Sequence, residues 1–207
     1  MYAATVNGQR LTFEVIGVWR RNMIMQDRET GTLWQQATGE ALYGPLKGRQ
    51  LELIGGEQTS WHDWVTRHPE TAVSLEPPQP PRGLLSFSQI EFLLDTFTSR
   101  YKTPGLSPND TRLPAHEEIG GLALNGAARA YPLSLMQMLG EVRDTLGGIP
   151  IVVRYDALNG RLSAYLQDEN GRADTAHPLP IQRQFWLGWS EFHPQTTIFT
   201  TPIEDKS

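Results

Sequence analysis

Three carboxylates in one short stretch are the first residues here whose types could do chemistry. In DRETGTLWQQATGEALYGPLKG, residues 27–48, Asp27, Glu29 and Glu40 lie among glycines, threonines and glutamines. Two carboxylates brought together across a hairpin could serve acid–base or metal chemistry. Strand alternation permits such a meeting, but spacing alone does not require it. The plainer reading makes Asp27 and Glu29 turn and surface residues. An aspartate can bond backbone two residues on, and Gly31 supplies a positive φ. Gln36, Thr38 and Glu40 surround a second turn at Thr38-Gly39, and loop residues held between strands often line sites. With Asn22, Arg28 and Trp34 added, the candidate ligand-binding set is Asn22, Asp27, Arg28, Glu29, Trp34, Gln36, Thr38 and Glu40. No residue is assigned a catalytic role.

Other reactive types are sparse. The chain has no cysteine, which removes disulfides, thiolate catalysis and cysteine metal sites from these residues. His62, His116 and His177 show no metal-ligand spacing, and no metal or other cofactor is expected. His68 and His193 each precede a proline at the end of a short predicted helix. An imidazole there meets the helix C-terminal dipole, so a capping role is expected. Paired tryptophans at helical spacing point to core packing, with stacking on a sugar through Trp34, Trp61 or Trp186 as the sharper alternative. Neither a phosphate loop nor a serine nucleophile elbow is present.

The elements that must position these residues are short. The chain of 207 residues carries 15 prolines and 19 glycines, which favours turns and short strands. A net charge of −5 without a basic stripe speaks against nucleic acid. No apolar run approaches the roughly 20 residues of a membrane span. Met1 is followed by neither a basic nor an apolar leader region. The chain as written therefore reads as soluble, and as cytoplasmic if Met1 is the true start. Asn7-Gly8 and Asn125-Gly126 mark hairpins. Val15 to Trp19 continues apolar, Met23 to Gln26 resumes as a strand, and Arg49 to Ile54 alternates like a half-buried one. Helices are predicted at 60–68, 86–101, 132–146 and 185–192. The run EPPQPPRG, residues 76–83, is a stiff linker.

One pattern occurs twice. Trp61-x-x-Trp64-x-x-x-His68-Pro69-x-Thr71 recurs 125 residues later as Trp186-x-x-Trp189-x-x-x-His193-Pro194-x-Thr196. Tyr2 with Asn7-Gly8 parallels Tyr165 with Asn170-Gly171 more weakly. Together these suggest a duplication in which the second copy lacks the 27–48 stretch and the first lacks a front half.

DRETGTLWQQATGEALYGPLKG, the following TSWHDWVTRHPETAV, and ARAYPLSLMQMLGEVRDTLGGIPIVV at Ala128 to Val153 resemble the bacterial and archaeal family known as domain of unknown function 3179. The resemblance covers well over half of the chain. It implies a segment with His-Glu, Asn-Asp and Cys-Pro-x-Cys ahead of the polar stretch. Here those positions read Gly140-Glu141, Arg143-Asp144 and Arg154 to Asn159. This second copy keeps fold signals and drops the polar constellation. The first begins where the residues after Cys-Pro-x-Cys would continue, so a start upstream of Met1, and with it possible export, is expected.

The fold expected is α+β, with short antiparallel strands, three or four helices and two degenerate related repeats. The boundaries expected are 1–75 for the first repeat, 76–112 for linker plus helix, and 113–207 for the second. The function expected is a non-catalytic or degenerate module binding a small ligand or a protein partner. The alternative is part of a metal- or redox-dependent enzyme whose cysteines and His-Glu pair lie upstream of Met1.

Overall fold

In the computed structural model of the chain, residues 1–20, 22–54, 58–73 and 110–201 are described. The proline run at 76–83 and the helix expected over 86–101 lie outside these residues. The first half opens with a minimal hairpin, β1 (Thr5–Val6) and β2 (Gln9–Arg10). Asn7 and Gly8 both have positive φ, 52° and 79°, as a type I′ turn requires. A four-stranded antiparallel sheet follows in the order β3 (Phe13–Trp19), β4 (Asn22–Asp27), β5 (Leu33–Gln35) and β6 (Ala41–Tyr43). Val6, Leu11, Trp34, Ala41 and Leu51 form its core. The strand expected over residues 49–54 is reduced to isolated bridges, Glu40 with Gln50 and Tyr2 with Leu53. Helix α1 (Trp61–Arg67) ends this half, capped by Ser60, whose hydroxyl accepts the Asp63 amide.

The second half has two more four-stranded sheets. One runs β12-β11-β10-β9, from β9 (Glu141–Leu146), β10 (Ile149–Asp156), β11 (Arg161–Gln167) and β12 (Ala173–Leu179). The other runs β13-β7-β8-β14, from β7 (Glu118–Leu124), β8 (Ala127–Pro132), β13 (Gln182–Phe185) and β14 (Thr197–Ile198). Strands β7 and β8 face two cores, because successive side chains point to opposite sides. Leu122 and Tyr131 join Met136, Ile151, Val153 and Leu162 on one side. Ile119 and Ala130 join Trp186 and Trp189 of helix α3 (Trp186–Phe192) on the other. The adjacent Gly120 and Gly121 serve this arrangement. A Cβ on Gly120 would collide with Leu162 and Ile181, and one on Gly121 with the Trp189 ring.

These observations overturn the α+β expectation. The described residues are mainly β, with three helices of seven residues each, α1, α2 (Leu133–Leu139) and α3. The predicted helix over 132–146 stops at Gly140, which has φ 72°. Beyond it Val142 and Leu146 are buried as alternate residues of β9, paired in register with β10. A separation of four satisfies both a helical face and one face of a strand, so periodicity could not separate the two.

The two Trp–His–Pro–Thr motifs have the same local geometry in different settings. Trp64 Nε1 donates to Thr71 Oγ1 at 2.9 Å, and Trp189 Nε1 to Thr196 Oγ1 at 2.9 Å. His68 lies over Trp64 with ring centroids 4.3 Å apart, and His193 over Trp189 at 3.8 Å. Each histidine amide also caps its helix, donating to the carbonyl of the second tryptophan. The surroundings do not repeat. Trp186 is fully buried while Trp61 is 58% exposed, and α1 has no buried residue. Nor are the flanking strands β13 and β14 matched around α1 among the described residues. Among the described residues the likeness extends no further than this local helix-and-turn device.

Candidate functional site

The 27–48 stretch separates into an inner and an outer part. Asp27, the last residue of β4, is fully buried. Its carboxylate accepts from the Thr30 amide at 2.6 Å, the Thr30 hydroxyl at 2.8 Å and the Trp34 indole at 2.7 Å. Burial pushes the Asp27 pKa up, but the bonds from Trp34 and Thr30 outweigh it and hold the group below its usual value. Gly31, with φ 70°, lets the chain return so that its amide reaches the Asp27 carbonyl at 2.9 Å. Trp34 is itself fully exposed to nothing but protein, at 0% accessibility. Asp27 and Trp34 are therefore brought together, facing each other inside the core. Glu29 turns outward and accepts the Thr12 amide at 2.7 Å, which lowers its pKa. Arg28 makes a surface pair with Glu14 at 3.3 Å. The three carboxylates do not converge.

The outer part lies at the opposite end of the sheet. Gly39 (φ 73°) turns beneath the Tyr2 ring, and Tyr2 donates its hydroxyl to the Ala37 carbonyl at 2.8 Å. Burial pushes that phenol up to about 12. The Thr38 carbonyl accepts from Gln50, and the exposed Glu40 carboxylate makes no hydrogen bond or ion pair among the described residues. The Gln36 amide donates to the Met23 carbonyl at 3.1 Å, and Asn22 Oδ1 accepts the Met23 amide at 2.9 Å. Asn22 and Gln36 thus come together around Met23, where β4 leaves the hairpin turn.

The adjoining strand is what the sequence reading missed. Val15 (60% exposed), Ile16 (48%), Val18 (73%) and Trp19 (48%) of β3, with Met23 (43%) of β4, are exposed apolar side chains along one edge of the sheet. Strand β3 is the outer strand of its sheet and shows solvent on both faces, with a bulge between Val15 and Gly17. Its tip is anchored. Arg20, held at φ 51°, donates from Nε to Glu191 at 2.7 Å and sits over the Trp19 and Phe192 rings. The available signal was a strand with apolar residues at consecutive positions and a glycine at its middle, a pattern that does not fit a half-buried strand.

Two cavities lie elsewhere among the described residues, one of them beside a polar network. Tyr131 donates to Asp144 at 2.7 Å, and Arg129 Nη1 donates to the same oxygen at 2.6 Å. Burial and the Asp144 carboxylate raise the Tyr131 pKa. Next to this network a cavity of about 360 Å³ is lined by Arg129, Leu146, Phe192, His193 and Thr197. Burial lowers the His193 pKa, keeping that imidazole neutral near pH 7. A second cavity, of about 340 Å³, lies between the halves and is lined by Leu53, Ile54, Leu162 and Ile181. No cluster of three or more His, Asp or Glu side chains suited to a metal ion occurs among the described residues. No described helix is long and apolar enough to cross a membrane.

Residues 1–196 match a family model described as Protein of unknown function (DUF3179). No curated protein and no solved structure matches the chain.

Proposed function

This chain belongs to the DUF3179 family of proteins of unknown function, and on that premise we propose that it is a non-catalytic module that binds a protein partner through the β3–β4 hairpin. The observation that carries this reading is the exposed run Val15, Ile16, Val18, Trp19 and Met23, with Asn22 and Gln36 beside it. An apolar, aromatic centre with polar neighbours is the usual anatomy of a protein interface. An exposed apolar outer strand is otherwise an invitation to aggregation. Of the candidate residues, Asn22 and Gln36 border this surface, whereas Asp27 and Trp34 hold up the sheet behind it.

Substituting Val18→Glu tests the reading. Val18 is 73% exposed in the single chain, so the change leaves the fold intact, read as an unchanged far-ultraviolet circular dichroism spectrum. A tagged parent chain recovers a stoichiometric partner from an extract of its native cells, and the variant loses it. Equal recovery by the two overturns the proposal.

A further inference from the structure

We propose that the occupant of the β3 edge is a second copy of this chain, paired antiparallel about Gly17. This rests on the partner-binding reading and names the partner. Three observations point the same way. First, β3 is paired only on its β4 side among the described residues, and its seven residues, bulged between Val15 and Gly17, leave an open edge to which another strand can add.

Second, Gly17 sits at the bulge of β3 and leaves its side of the strand open. Its φ is not in the left-handed region, and a Cβ built there meets nothing within 4 Å. A glycine in mid-strand weakens the strand and marks a bulge or an approach by another backbone, and here the bulge leaves the edge uncrowded by any side chain at its centre. A two-fold axis through residue 17 brings the two glycines of the pair together, an isologous contact in which each chain offers the same surface.

Third, the charges along the edge are self-complementary, with Glu14 also facing Arg28 of its own chain at 3.3 Å. Glu14 lies near one end of β3 and Arg20 at the turn beyond the other. Antiparallel pairing about Gly17 sets Glu14 opposite the Arg20 of the second copy, Val15 opposite Trp19, and Ile16 opposite Val18. Arg20 uses Nε and Nη2 on Glu191, so Nη1 is outside that contact. Parallel pairing would stack Glu14 on Glu14 instead, which is unfavourable. Apolar residues fill the span between the charges, as the centre of a stable interface requires.

The absence of cysteine makes a direct test possible. Gly17→Cys introduces a single thiol at the proposed two-fold position, where a Cβ meets nothing of its own chain within 4 Å. Opposed strand residues lie at Cα separations of about 4.5–5.5 Å, within reach of a disulfide. Mild oxidation then links Gly17→Cys into a covalent dimer, while Leu158→Cys, at a site 91% exposed and remote in the fold, stays monomeric. In sedimentation the parent chain is a reversible dimer, and Glu14→Lys weakens it by about tenfold or more, since it replaces attraction by repulsion.

A chain that sediments as a monomer at every concentration overturns the second copy as occupant. So does a dimer indifferent to Glu14→Lys whose Gly17→Cys form does not cross-link. In either case, a different protein recovered by the parent and lost by Val18→Glu would leave the partner-binding reading standing. Loss of both results would remove the two together.

Discussion

Replacing Asp27 by alanine is expected to destabilise the chain by about 3–4 kcal/mol. The cost comes from what is left behind. The Trp34 indole N–H and the Thr30 amide both lose their acceptor, and Trp34 has no water to turn to because it is fully buried. Asp27→Asn keeps the volume but presents an amide to donors already pointing inward, so it recovers little. Urea unfolding of the three chains at pH 7 measures these differences.

The same carboxylate ties stability to pH, and the sign follows from its lowered pKa. In the unfolded chain an aspartate titrates near 3.9, and in the folded chain Asp27 titrates below that. The stabilisation is complete above the unfolded value and is lost as pH falls through the folded one. The difference in stability between the parent and Asp27→Asn should therefore be flat above about pH 5 and narrow progressively below about pH 4. A difference that widens on acidification would contradict the assignment of Asp27 as an ionised, hydrogen-bonded anchor.

Trp189→Ala is expected to cost about 3–5 kcal/mol, and Trp64→Ala about 1 kcal/mol, although the two residues occupy equivalent places in the repeated motif. Trp189 is 1% exposed and packs in a core with Ile119, Ala130 and Trp186. Its ring lies against Gly121, which has no side chain to fall into the space a smaller residue would open. Trp64 makes the same bond to its threonine and the same stack on its histidine, but on a helix without a buried residue. If the motif itself carried the stability, the two substitutions would cost the same. Chemical unfolding of both variants decides whether burial or local hydrogen bonding dominates.

Local chemistry was the legible part of the sequence. Asn7-Gly8 and Asn125-Gly126 gave their hairpins because few other residues tolerate consecutive positive φ. Gly31 and Gly39 marked turns for the same reason. The family resemblance rested on stretches whose residues prove to be hairpin and helix-cap signals. What could not be read was anything decided across distance. Val142 and Leu146 have a spacing common to helix and strand, and only pairing of β9 with β10 chooses between them. Asp27 looked like a candidate ligand because nothing local reveals that an indole seven residues on will claim it. Val18 and Trp19 read only as the continuation of an apolar run, because apolar sequence carries no mark of which side, if either, will be covered. That is a property of the neighbouring elements.

The clamp between Arg20 and Glu191 has a consequence for how the molecule comes apart. It joins the first sheet to the last helix, and Arg161 reaches Asp63 of α1 at 3.6 Å in a second crossing. Ties of this kind weaken as counterions accumulate, whereas the separate cores behind Trp34 and Trp186 do not. High salt is therefore expected to loosen the coupling between the two halves on unfolding.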